Sequence, residues 1–161
     1  MSRRPPLPRG TAGVLLSRAV AWAVAAAVAT GCTGAVQVQA PTTSSQACTA
    51  LLGSLPDTVA GAQRRTLEPA DAAAAAWGDP PIVLRCGVGR PPVLNRTSRC
   101  DLVDEVGWFT EELRAAFRFT TIGRELRVEL TVPFDYEPAA EVLVELAAEV
   151  KASVPQVRPC V

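Results

Sequence analysis

FRFTTIGRELRVELTV, Phe117–Val132, carries the clearest strand pattern in the chain. From Leu126 onward it alternates strictly, with Leu126, Val128, Leu130 and Val132 on one face and Arg127, Glu129 and Thr131 on the other. That period of two predicts a strand with one buried and one wet face. Phe117–Ile122 reads as a second strand, and Gly123 with Arg124 sits where the chain must turn, which predicts an antiparallel hairpin.

Working outward, Val106–Phe109 and Ile82–Cys86 are further strand candidates, the latter β-branched and set off by Pro80 and Pro81. Gln63–Leu67 is a weaker one, and the alanine run Ala72–Ala76 reads as a helical turn or a loop. Cys48, Leu51, Leu52 and Leu55 fall on one face of a short helix that Ser44 or Ser45 can cap and Pro56 limits. Pro138 suits the first turn of a second helix reaching about Ala152, its stripe being Val142, Leu143, Leu146 and Val150. Glu141, Glu145 and Glu149 repeat elsewhere on that helix and read as a solvated face. The expected class is α+β: an antiparallel sheet of about four to five strands, with the N-terminal and C-terminal helices packed on one face.

The 161 residues carry sixteen Lys+Arg and sixteen Asp+Glu, no His and five Cys. Without His there is no Ser/His or Cys/His pair and no imidazole ligand. The formal neutrality hides an asymmetry. Arg3, Arg4, Arg9 and Arg18 precede the apolar run Ala19–Ala29, and no acid appears before Asp57. A basic stretch followed by eleven apolar residues reads as an export signal over residues 1–31, too short to span a bilayer of about 20 helical residues. Once it is removed, twelve basic residues face sixteen acidic ones, which argues against nucleic acid as a partner.

Ala29-Thr30-Gly31-Cys32 resembles the lipobox of bacterial lipoproteins, which implies cleavage before Cys32 and a lipid anchor on that residue. The expected location is the extracytoplasmic face of the plasma membrane, with the membrane as partner through the anchor. Ordinary cleavage to a secreted form, or retention of Val14–Gly31 as a signal anchor, are the alternatives. Residues 32–46 read as the lipidated cysteine and a flexible tether, uncharged and poor in large apolar groups. Residues 47–161 are left as the folded domain.

Four cysteines remain, Cys48, Cys86, Cys100 and Cys160, an even number suited to an oxidising compartment. The expected pairs are Cys86 with Cys100, closing a Gly- and Pro-rich loop, and Cys48 with Cys160, joining the two ends of the domain. No Cys-x-x-Cys spacing supports zinc or a thioredoxin-like site.

Leu55-Pro56, Gly61, Arg64-Arg65, the run Trp77-Gly78-Asp79-Pro80-Pro81-Ile82-Val83-Leu84-Arg85-Cys86-Gly87-Val88, Cys100, Val106, Trp108, Thr121-Ile122-Gly123-Arg124, Val128 and Pro133 carry a resemblance over nearly all the mature chain. Together they resemble the actinobacterial envelope proteins grouped as domain of unknown function 3515. The resemblance implies an exported, often lipobox-bearing protein and brings no activity with it.

The best functional lead is charge segregation. Ile82–Cys100 holds Arg85, Arg90, Arg96 and Arg99 and no acid, whereas Asp101–Glu112 holds five acids and no base. A disulfide-closed loop presenting Arg90, Arg96 and Arg99 is the candidate anion site, suited to wall polymers, anionic headgroups or an acidic envelope protein. The competing reading is that the two segments simply pair across the surface. Trp77 and Trp108 read as core anchors, and Arg85 and Arg124 as side chains that hold loop carbonyls. With no nucleophile motif, metal-ligand pattern or phosphate loop, the expectation is a binding or structural module of the cell envelope, not an enzyme, with no cofactor and no metal. The alternative is a cell-wall hydrolase using acidic residues such as Asp101 and Asp104.

Overall fold

The computed structural model describes residues 34–41 and 45–160. The expected export signal over residues 1–31, the lipobox-like Ala29–Cys32 and the expected anchor residue Cys32 lie outside the described residues. Thr33–Val161 forms a compact unit of its own.

The protein is α+β, built on a six-stranded antiparallel sheet, two strands wider at most than the composition of apolar runs suggests. Its order is β5 (Ala74–Trp77), β6 (Ile82–Cys86), β10 (Val128–Pro133), β9 (Ala116–Thr121), β8 (Val106–Glu112) and β7 (Asp101–Val103). The hairpin read from Phe117–Val132 is the β9–β10 pair, with Leu130 opposite Phe119 and Glu129 opposite Thr120. The two additional strands are the edges. Alanine favours helix locally, but Ala74–Trp77 pairs with β6 from Ala74–Arg85 to Trp77–Ile82, and that pairing overrides the propensity. β7 is only three residues long and leaves almost no periodic signal.

Both helices cover one face of the sheet. α1 (Gln46–Ser54) is capped by Ser45, whose side chain accepts from the Cys48 N–H at 3.1 Å. α2 (Ala139–Ser153) buries Val142, Leu143, Leu146 and Val150 as its stripe predicts. Against them lie Leu84, Val106, Trp108, Val128 and Leu130, all fully buried. Trp77 and Trp108 are core residues, and the Trp77 indole N–H donates to the Pro56 carbonyl at 2.9 Å. Gln63–Leu67 is not one strand. It is divided between β3 (Ala62–Gln63), which makes a tight hairpin with β2 (Thr58–Val59), and β4 (Leu67–Glu68).

The other face is not simply wet. The expected tether is docked there over residues 34–41. β1 (Val36–Gln37) runs parallel to β4, with Val36 N–H donating to Thr66 at 2.9 Å and Val38 N–H to Glu68 at 3.0 Å. Val38, Ala72 and Ala74 form a second small core, joined by Val36, Leu67 and Val83. Two valines and backbone pairing suffice to hold a segment that composition alone marks as disordered. Glu129, expected at the surface, is 6% exposed beneath this layer.

The disulfides also differ from expectation. Cys48 pairs with Cys86 and Cys100 with Cys160. Alternation puts Ile82, Leu84 and Cys86 on the core face of β6, and the apolar stripe of α1 carries Cys48 down onto it. After α2 the chain returns past Gly123, whose carbonyl accepts from Val157 and Arg158 at 2.7 and 3.0 Å, and this brings Cys160 to Cys100 at the sheet edge.

Candidate anion-binding site

Three backbone connections build a basin at the end of the sheet where β6 leaves and β9 turns into β10. The Arg127 carbonyl accepts from Gly87 and Val88 at 2.9 and 3.3 Å, fixing the root of the 87–99 loop to the start of β10. Leu94 N–H donates to Pro91 and Ser98 N–H to Asn95, folding that loop into two turns. The carbonyl of Gly123, at φ +73°, holds the C-terminal tail on the third side.

The concavity between loop, turn and tail has a volume of about 380 Å³ and is lined by Arg90, Arg96, Arg124, Arg127 and Arg158, with no acid among its lining residues. That volume lies in the range of small-ligand sites, about 300–1,000 Å³. The five guanidiniums play different parts. Arg124 is structural: Nη1 donates to Val154 at 2.6 Å and Nη2 to Glu105 at 3.3 Å, tying the end of α2 to the β7–β8 turn. Burial holds its pKa below the ordinary value for arginine. Its Nε is buried without a hydrogen-bond partner. Arg90 spends Nη2 on the Leu94 carbonyl at 2.6 Å, which stiffens the loop. Arg96, Arg127 and Arg158 make no ion pair among the described residues, so their forks remain available to carboxylate or phosphate.

The sequence-expected trio is therefore divided. Arg90 and Arg96 line the basin. Arg99 does not, and its Nε pairs with Asp101 at 2.5 Å, so here the neighbouring basic and acidic segments do neutralise each other. The loop is not closed on itself, since Cys86 and Cys100 belong to different disulfides. Arg124, Arg127 and Arg158 come from a turn and a tail that only the fold brings to the loop. Arg124 and Arg127 flanking a hairpin turn was the available signal.

A second concavity, about 370 Å³, lies on the layer side of the sheet and shares Arg90 with the first. Its floor is an ion-pair cluster. Glu129 Oε1 accepts from Arg85 Nε at 2.9 Å and Nη2 at 2.5 Å, and Arg118 Nε stands 3.8 Å away. Arg85 Nη1 also donates to Gln39, clamping the docked segment to the sheet. Glu111 shares this concavity, but Glu129 is held by guanidiniums and is poorly placed to move a proton. A third hollow, about 610 Å³, is apolar and sits between β9 and the start of α2.

The hydrolase candidates do not converge. Asp101 accepts from Thr110 at 3.0 Å and pairs with Arg99, whereas Asp104 pairs with Lys151 at 3.3 Å. Among the described residues no group of three or more His, Cys, Asp or Glu could hold a metal ion.

A family model covers residues 11–159, nearly the whole chain, and its description is protein of unknown function, DUF3515. The chain belongs to this family. No curated protein and no solved structure matches it. In this DUF3515 chain the Trp-Gly to Cys-Gly run proves to be the β5–β6 hairpin, whose Arg85 and Cys86 tie the sheet to the docked segment and to α1.

Proposed function

We propose that this DUF3515 protein is an exported, lipid-anchored component of a bacterial cell envelope that binds anionic groups in its arginine basin. The observation that carries the reading is the lining itself: five guanidiniums, three of them with no ion pair or side-chain hydrogen bond among the described residues, around one concavity with no acid among its described lining residues. Such forks match carboxylate and phosphate geometry. Export is supported by the basic-apolar leader ending at Cys32 and by two cysteine pairs suited to an oxidising compartment.

Two measurements test the two halves separately. Fatty-acid labelling in cells should mark the wild-type protein and not Cys32→Ala; equal labelling of both removes the anchor. Immobilised polyphosphate should retain the unlipidated mature chain at low salt, whereas a neutral dextran column should not. Equal passage through both columns removes the anion site.

A further inference from the structure

The docking of residues 34–41 fixes the end of the domain at which Gly34 stands. The Gly34 carbonyl accepts from Arg65 Nη2 at 2.8 Å, and Arg65 Nη1 donates to Gly78 at 2.6 Å, so the segment begins at the turn between β5 and β6. It then runs along the sheet, past Gln39 on Arg85, to Pro41, whose carbonyl accepts from Ala73 at 3.1 Å. In β6 this is a passage from the Ile82 end to the Cys86 end. The arginine basin is built at the Cys86 end, beside Gly87, Gly123 and Arg127.

We infer that in the anchored protein the basin opens away from the bilayer, and that its ligand is an anionic wall polymer carrying repeated phosphate or carboxylate groups, not the headgroups around the anchor. This rests on lipidation at Cys32, as proposed above. Cys32 is two residues from Gly34, a covalent reach of about 7 Å at most. β6 alone separates the two ends of the sheet by about 13 Å. That exceeds the Debye length of about 8 Å at physiological ionic strength, so headgroups at the anchor end are largely screened from the basin.

A polymer is favoured over a single anion by the way the free arginines are distributed. Arg96 is on the loop, Arg127 on the hairpin turn and Arg158 on the tail. One exposed ion pair contributes only about 0–1 kcal/mol. Repeated anions on one chain engage several such sites at high effective concentration, without any single strong contact.

The test uses the mature chain, Cys32–Val161, coupled through its Cys32 thiol to a maleimide lipid. One set of vesicles is phosphatidylcholine and the other contains phosphatidylglycerol; the probe is soluble fluorescent poly(glycerol phosphate). The expected result is that coupled and uncoupled protein bind the probe within about twofold on both vesicle types, and that R96A/R127A/R158A weakens binding at least about tenfold. Loss of probe binding on both vesicle types would show the basin turned to the bilayer. Loss on phosphatidylglycerol vesicles alone would show headgroups occupying it. Either outcome overturns the inference, as does failure of the uncoupled chain to bind the probe. Fatty-acid labelling of wild type against Cys32→Ala remains a separate readout: equal labelling of both removes the natural anchor, while the coupled protein still reports which way the basin faces.

Discussion

Glu129 is the charge on which the layer side of the sheet depends. With 8% of its side chain exposed, it accepts two bonds from Arg85 and faces Arg118, and Arg85 in turn holds Gln39. Removing one partner of a buried ion pair costs about 3–5 kcal/mol, but Arg85 is 27% exposed, so Glu129→Gln should lose about 2 kcal/mol in urea unfolding. The alternation in Leu126–Val132 correctly placed Glu129 opposite the core; it could not reveal that a second layer covers that face. Gly123 makes a separate point. It has φ +73°, and a Cβ there would run into the Arg158 carbonyl, whereas Gly61, also at φ +73°, faces open space. Gly61→Ala should therefore cost only the backbone strain, about 1 kcal/mol, and Gly123→Ala clearly more, read from the same unfolding curves. Lys151 supplies a pH dependence. Its hydrogen bond to Glu105 is the largest of the effects that raise its pKa, with Asp104 adding to it. A raised folded-state value means that the contribution is fully present below the unfolded pKa of about 10.4 and is lost as pH rises through the folded one. Melting curves of wild type and Lys151→Met should keep a constant small gap at neutral pH and converge as the pH rises into strong alkali.

At the scale of elements, the two disulfides divide the work. Cys48–Cys86 binds α1 to the centre of the core, and Cys100–Cys160 holds the tail against the edge strand β7. Their loops span 38 and 60 residues, and on the chain-entropy model each contributes about 4 kcal/mol. Non-reducing peptide mapping should recover Cys48 joined to Cys86 and Cys100 joined to Cys160; Cys86 joined to Cys100 would contradict the fold. The strands with strong alternation and both apolar helix stripes were legible, because a buried face imposes its period on the chain. The observed cysteine pairing differs from the expected one, although the parity of Cys86 in β6 and the place of Cys48 on the α1 stripe point both thiols at the same core. Short, partner-dependent elements such as β1, β4, β5 and β7 carried too little local signal to be read.

For the whole molecule, the fold converts charges scattered over the sequence into one basic concavity. Two of the five arginines that line it, Arg90 and Arg96, are legible in the sequence as a loop cluster. The rest needed the hairpin turn and the returning tail, which no local pattern links to the loop. Arg99 offers the sharpest control, because it looks equivalent in sequence and is spent on Asp101 in the structure. The decisive measurement is a calorimetric titration of the unlipidated mature chain with polyphosphate at two salt concentrations. R96A/R127A/R158A should weaken binding at least about tenfold and flatten its salt dependence, while Arg99→Ala stays within about twofold of wild type. Equal losses in the two variants, or binding untouched by the triple change, would contradict the proposed anion site.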